Sequence, residues 1–173
     1  MNDETEEAVV AACQAGDQAA YAGLVQAYSG RIFAICLGML GHRCDAEDMT
    51  QQALLKGFID IRHLREADQF GPWIARIARN LCVDALRRRK CRATATSNPN
   101  RPEQVEQGEL YRLEAALDKL GSDHRVPLLL FYFDGRSTES IAATLGISRA
   151  AVQARLSRGR KQLRKLLQAE GEE

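Results

Sequence analysis

Apolar residues along this chain recur mostly at steps of three and four, the spacing that gathers side chains on one face of an α-helix. Alternating β-branched runs are almost absent, so the pattern predicts an all-α protein. Residues 6–27 carry Val9, Val10, Ala12 and Cys13, then Ala20, Leu24 and Val25, which predicts two short helices broken near Gly16-Asp17. Residues 31–40, with Ile32, Phe33, Ile35, Cys36 and Leu37, predict a largely buried helix closed by Gly41. Asp45 is a good N-cap for the next helix, and the acidic first turn suits the helix dipole. Met49, Ala53, Phe58 and Ile61 mark its buried side, while Asp48, Gln51, Gln52 and Leu55 project on another. Residues 62–71 are polar and predict a loop. Pro72 suits a first helical turn, and the helix from Trp73 packs through Ile74, Ile77, Ala78, Leu81 and Ala85. A second stripe on that helix runs Arg76, Asn80, Val83, Arg87 and Lys90, beside Arg88 and Arg89.

Residues 93–108 are small and polar, contain two prolines and hold no large apolar side chain except Val105, which predicts a linker. Fully extended, it would reach about 50 Å at roughly 3.3 Å per residue, more than one turn of DNA, about 34 Å. The pattern therefore predicts two small helical domains, 1–92 and 109–173, joined by a flexible linker. Leu110, Leu113, Leu117 and Leu120 open the second, and residues 122–133 add an apolar helix. From Ser137 two further helices follow. Ser137 caps the first, which buries Ile141, Ala142 and Leu145; Gly146 suits its left-handed end; Ser148 caps the second. There Val152, Leu156, Gly159, Leu163 and Leu166 form one face. Gln153, Ala154, Ser157 and Arg158 lie opposite, with Arg149 and Arg155 beside them. Two short helices, a glycine turn and a basic second helix predict a helix-turn-helix whose second helix enters a DNA major groove.

Charge changes the picture more than composition does. The net charge of +1 is uninformative, but its distribution is not. Residues 1–48 hold eight acidic side chains against two basic ones, whereas residues 76–92 hold seven basic against one acidic. Residues 149–165 hold seven basic and no acidic side chains. This asymmetry implies two kinds of partner. The only tryptophan stands at the head of the first basic helix, and an aromatic beside basic groups suits unstacked single-stranded DNA. The five cysteines have no CxxC spacing, so neither a zinc site nor a disulfide framework is expected. An acidic N-terminal stretch without a signal-peptide pattern, and no apolar run near the ~20 residues of a membrane span, point to a cytoplasmic protein.

Three stretches together resemble a known family: DAEDMTQQALLKGF at 45–58, FGPWIARIARNLCVDALRRRK at 70–90 and STESIAATLGISRAAVQARLSRGRKQL at 137–163. In order and spacing they are similar to the bacterial RNA polymerase sigma factors of the extracytoplasmic-function group. The resemblance implies a transcription initiation factor, controlled by an anti-sigma factor, that directs core RNA polymerase to promoter DNA. It implies that Asp48, Gln51, Gln52 and Leu55 contact core polymerase, through its β′ subunit, with β a further partner. It implies that Trp73, Arg76, Asn80, Arg87 and Arg88 serve the minus-ten element and that the loop 65–69 accepts a flipped base. The minus-thirty-five element would be read by Arg149, Gln153, Ala154, Arg155, Ser157 and Arg158. The chain departs from the family pattern at Gln52 and Ser140, at Ala150-Ala151 and at Ala154, which bears on docking strength and promoter sequence.

Two rivals remain. A plain helix-turn-helix regulator would need neither an acidic docking helix nor a basic helix beside Trp73. An enzyme would need a site, and His42, His63 and His124 are scattered without a paired nucleophile or metal cluster. No enzyme activity, cofactor or metal is expected.

Overall fold

The computed structural model describes residues 3–66, 69–93 and 109–169, with residues 3–5, 90–93, 109–111 and 114 described by backbone alone. The linker expected at 93–108 lies outside the described residues except for Ala93, as do residues 67–68 of the loop and the side chain of Lys90. The described residues form helices α1 (Asp3–Gln14), α2 (Gln18–Leu40), α3 (Arg43–Asp60), α4 (Phe70–Ala93), α5 (Glu109–Asp118), α6 (Ser122–Tyr132), α7 (Thr138–Leu145) and α8 (Arg149–Ala169), with a 3-10 turn at Ile61–His63 and no strand.

Helix α2 is the hub. It packs on α1, α3, α4 and α6, and buries Leu24, Ile32, Ile35 and Cys36 completely. The chain breaks before it at Gly16, and Asp17 caps it by accepting from the amides of Ala19 at 2.9 Å and Ala20 at 3.2 Å. Residues 18–40 form one unbroken helix rather than ending near Ala27 and restarting at Arg31. By length and composition α2 is apolar enough to cross a membrane, contrary to the expectation from apolar runs. Its apolar residues are interrupted by Gly, Ser and Gln, so a run length underestimates it. The helices packed around it make it a core helix here.

Three further local expectations need correction. Asp45 lies inside the first turn of α3, because the helix starts at Arg43 with His42 extended at its cap. Phe58 is 37% exposed rather than buried. The core side of α3 is instead the small stripe Ala46, Thr50, Ala53 and Gly57, which lets the helix sit close to its neighbours. Helix α4 starts at Phe70, so Pro72 falls within its first turn, where its missing N–H costs no helical bond.

The apolar core runs through both halves of the chain. Phe70, Ile74 and Cys82 of α4 belong to the same cluster as Leu130 of α6, Ile141 of α7 and Val152 of α8. A hydrogen bond with Cys36, aided by burial, pushes the Cys82 thiol up, and Cys13, Cys36, Cys44 and Cys82 are free. Between the halves, α6 lies so close to α2 that a Cβ on Gly38 would meet the Val126 Cα at 2.8 Å. The buried Arg125 donates to the Gly38 carbonyl at 2.8 Å and to the Leu117 carbonyl at 3.1 Å, and pairs with Asp118 at 3.3 Å. Burial lowers its pKa, yet its Nε and Nη1 donors both find oxygens, which is the condition for tolerating a buried charge.

Candidate nucleic-acid interface

Three surfaces carry the residues singled out from the sequence. The first is the outer face of α3. Asp48, Gln51, Gln52 and Leu55 are all exposed, and their spacing of three, one and three places them on one side of the helix. Leu55 is 61% exposed and Ile59, one turn on, is 64% exposed. Ile59 was not singled out from the sequence, although its i, i+4 relation to Leu55 carried the signal. Two bare aliphatic side chains beside an acid and two amides form an apolar strip with a polar edge, the composition of a protein contact rather than of a solvated face.

The second surface is α4 and the loop before it. Trp73 is half-buried, tilted against Phe70 with ring centroids 5.8 Å apart. Arg76, Asn80, Arg87 and Arg88 are exposed, and the first three continue from Trp73 at steps of three, four and seven. Arg87 is loosely paired with Asp84 at 3.9 Å. An open cleft of about 530 Å³ lies at the Trp73 end, lined by Leu64, Arg65, Gln69, Trp73, Arg76 and Arg79 on the near side. Arg65 and Gln69 of the expected base-accepting loop are therefore brought to Trp73. Arg79 also belongs to the cleft, a residue the basic stripe did not select because it lies off the Trp73–Asn80 line. At the other end of α4, Arg88 meets Asp48 across a groove of about 310 Å³ between α3 and α4, so the first two surfaces adjoin.

The third surface is the helix pair α7–α8. Ser137 accepts from the Ser140 amide at 3.2 Å and Ser148 from the Ala151 amide at 3.1 Å. Gly146 closes α7 at φ 67°, a left-handed conformation open to glycine at little cost. Val152, Leu156 and Gly159 are buried against the rest of the fold. That fixes the rotation of α8, leaving Gln153, Ser157 and Arg158 exposed and Ala154 half-exposed. Arg149 is held by Glu139 at 2.8 Å and Arg155 by Asp123 at 3.2 Å. Hydrogen bonding by its own backbone amide, aided by Ser137, Arg149 and Thr138, holds the Glu139 carboxyl below its ordinary value. Both arginines flank the exposed polar face of α8 and are engaged in ion pairs.

Among the described residues no cluster of His, Cys, Asp or Glu is positioned to hold a metal ion. The surfaces offer hydrogen-bond donors, charge, an aromatic ring and apolar contact, which is equipment for binding.

Two family models match the chain in order. Residues 24–92 match Sigma-70 region 2, and residues 110–163 match Sigma-70, region 4. The chain is 35% identical over 167 residues to the ECF RNA polymerase sigma factor SigE of Mycolicibacterium smegmatis, covering 88% of this chain and 64% of SigE, so it spans less than two thirds of that relative. It is 32% identical over 149 residues to the ECF RNA polymerase sigma factor EcfG of Rhodopseudomonas palustris, covering 83% of this chain and 81% of EcfG. The fold is similar to CnrH, solved in complex with the cytosolic domain of CnrY, with a TM-score of 0.70 and 26% identity over 95% of this chain and 97% of that one. With both regions present in order, and with a relative at 32% identity matched over 81% of its length, the chain belongs to the RNA polymerase sigma factors of the extracytoplasmic-function type.

Proposed function

We propose that this protein is a promoter-specificity factor: it binds core RNA polymerase through α3, holds the melted minus-ten strand with α4 and reads the minus-thirty-five duplex with α8. In chain order the roles fall on Asp48, Gln51, Gln52 and Leu55 with Ile59; on Trp73, Arg76, Asn80, Arg87 and Arg88; and on Arg149, Gln153, Ala154, Arg155, Ser157 and Arg158. The observation that carries the reading is the coexistence of two separate basic faces with an exposed apolar strip that neither of them uses. A plain helix-turn-helix regulator has a use for α8 alone.

Energetically the division is sensible. Drawing a base out of the duplex stack costs a few kcal/mol. Stacking it on an aromatic or arginine plane returns about 1–3 kcal/mol, so a Trp73–Arg76 platform is of the right size to offset one flipped base. Each good side-chain–base pair in the major groove discriminates by about 1–3 kcal/mol, which assigns sequence choice to Gln153, Ser157 and Arg158. Arg149 and Arg155 flank that face and suit backbone positioning. The protein contributes binding free energy and no covalent step. An anti-sigma factor is the regulator the family implies.

The test is transcription in vitro by core RNA polymerase on a library of promoter templates. Initiation at discrete sites only when the protein is added is the expected result. Asp48→Arg and the pair Leu55→Ser, Ile59→Ser are expected to abolish it while leaving duplex binding unchanged. Duplex binding that ignores polymerase, with no initiation, would instead establish the simple regulator.

A further inference from the structure

Helix α1 contributes no residue to the three surfaces, yet it is built firmly into the fold. Val10 is fully buried and Cys13 nearly so, and the helix packs on α2 and on the turn at Ile61–His63. Two of its polar side chains reach the two ends of the segment between α3 and α4. Half-buried Gln14 donates through Nε2 to the Leu64 carbonyl at 2.7 Å and to the Ile61 carbonyl at 3.1 Å. The Ile61 carbonyl also accepts from the Leu64 amide at 3.1 Å. One side chain of α1 thus ties down the turn directly before Arg65.

The other end is held through a line of aromatic rings. Glu6 accepts from the Tyr28 hydroxyl at 2.6 Å. Tyr28 meets Phe70 edge-on with ring centroids 5.0 Å apart, and Phe70 meets Trp73 at 5.8 Å. Little slack remains along this line. The Arg31 guanidinium lies over the Tyr28 ring, 4.5 Å from its centroid, and a Cβ on Gly71 would stand 3.1 Å from Tyr28 Oη. Between the two anchors the Gln69 amide donates to the Glu66 carbonyl at 3.1 Å. Leu64, Arg65, Gln69 and Trp73, which line the cleft, therefore hang from two points that α1 secures. A site must hold its groups within about 0.5 Å of the productive geometry, and a segment between helices has no hydrogen-bond ladder of its own to do so.

We propose that α1 is a clamp for the minus-ten cleft: Gln14 positions the Leu64–Arg65 wall, the Glu6–Tyr28 bond positions Trp73 through Phe70, and the captured base is selected by a cleft of fixed shape. Gln14, Glu6 and Tyr28 are positioning residues that act through the cleft lining. The inference rests on the sigma reading for the identity of what the cleft holds.

Gln14→Leu keeps an apolar side chain of similar size and donates nothing. Tyr28→Phe removes only the hydroxyl that Glu6 accepts from. Val10→Ala is the control, since it loosens α1 in the core and leaves both anchors in place. The first readout needs no polymerase: amide hydrogen exchange in the free chain, followed by NMR. Gln14→Leu should speed exchange at Leu64 and Gln69 about tenfold, the worth of about one net hydrogen bond, with the Ser140 and Val152 amides unchanged. The second is initiation by core polymerase carrying each variant, on templates randomised across the minus-ten element. Gln14→Leu and Tyr28→Phe should bind core polymerase as the parent does and flatten the base preference at the captured position, Gln14→Leu by about tenfold, within the range of one lost stacking contact. Val10→Ala should lower thermal stability and keep the parent's preference. A parental preference in Gln14→Leu or Tyr28→Phe, an equal flattening in Val10→Ala, or unchanged exchange at Leu64 would each overturn the clamp. If Gln14→Leu loses helix content, Tyr28→Phe decides alone. A parent that never initiates, with exchange at Leu64 raised by Gln14→Leu, refutes the sigma reading and upholds the clamp on the cleft. Promoter-dependent initiation whose base preference ignores both variants refutes the clamp alone.

Discussion

Residues 76–92 and 149–165 each hold seven basic side chains, and the helices that carry them, α4 and α8, both bury one apolar stripe and present a polar one. Their circumstances differ. Gln153, Ser157 and Arg158 of α8 face solvent, with the flanking Arg149 and Arg155 tied to acids on neighbouring helices. The head of α4 faces the end of α7, and its Arg79 is engaged by a backbone carbonyl 66 residues away in sequence. Equal charge density therefore does not mean equal availability. Long-range attraction of DNA follows the summed charge, while direct contact follows which groups the fold leaves uncovered.

That contrast can be broken most severely through the shared core. Leu130 of α6 is fully buried in the cluster that also contains Ile32 and Ile74. Leu130→Ala should cost about 2–5 kcal/mol, and calorimetry should show one cooperative transition shifting as a whole. Two separate transitions, only one of them moved, would mean that the halves fold apart. Next in size is a comparison of Arg158→Ala with Trp73→Ala. In the free chain, Arg158→Ala should weaken binding of its promoter duplex by about 1–3 kcal/mol, while Trp73→Ala leaves that binding unchanged in a fluorescence-anisotropy titration. With core polymerase present, both should reduce initiation.

A smaller effect concerns the frame of the reading helix pair. Ser137→Ala removes the oxygen that accepts from the Ser140 amide and should cost about 1 kcal/mol, read in chemical denaturation with the slope unchanged. Smallest is the acid response of Glu139. Its folded-state pKa lies below its ordinary value of 4.5, so its stabilising contribution is complete above that value and is lost as pH falls through the depressed one. A carboxyl NMR titration should place the Glu139 midpoint below 4.5. Arg149→Gln should raise the midpoint only in part, because the backbone hydrogen bond contributes most.

Local chemistry made much of this legible. Ser137, Gly146 and Ser148 punctuate α7 and α8 where their cap and turn preferences place them, and the stripe from Val152 through Leu156 to Gly159 set which side of α8 faces out. Helix α3 was less transparent. It carries a small-residue stripe and a large apolar one, and periodicity alone favours the larger, which points Phe58 inward. Close packing decided otherwise: at Gly57 a Cβ would meet Tyr21 Oη at 2.8 Å, and only small side chains fit against that neighbour. The start of α3 escaped for a related reason, since a helix can begin at Arg43, with Arg43 paired to Glu47 at 2.9 Å, without a side-chain cap.

By itself the sequence determined an all-helical chain, the order of its helices, which face of α8 carries the donors, and the concentration of positive charge on two segments far apart in the chain. Each depends on neighbours within a few residues, through hydrogen-bonding rings, caps and the 3.6-residue period. Only the tertiary structure decided which apolar stripe of α3 is left bare, that Asp48 and Arg88 share a groove, and that α7 faces Trp73. Those depend on volumes and donor–acceptor matches between residues tens of positions apart, such as the Arg125 guanidinium and the Gly38 carbonyl, and no local pattern records which distant surface a helix will meet.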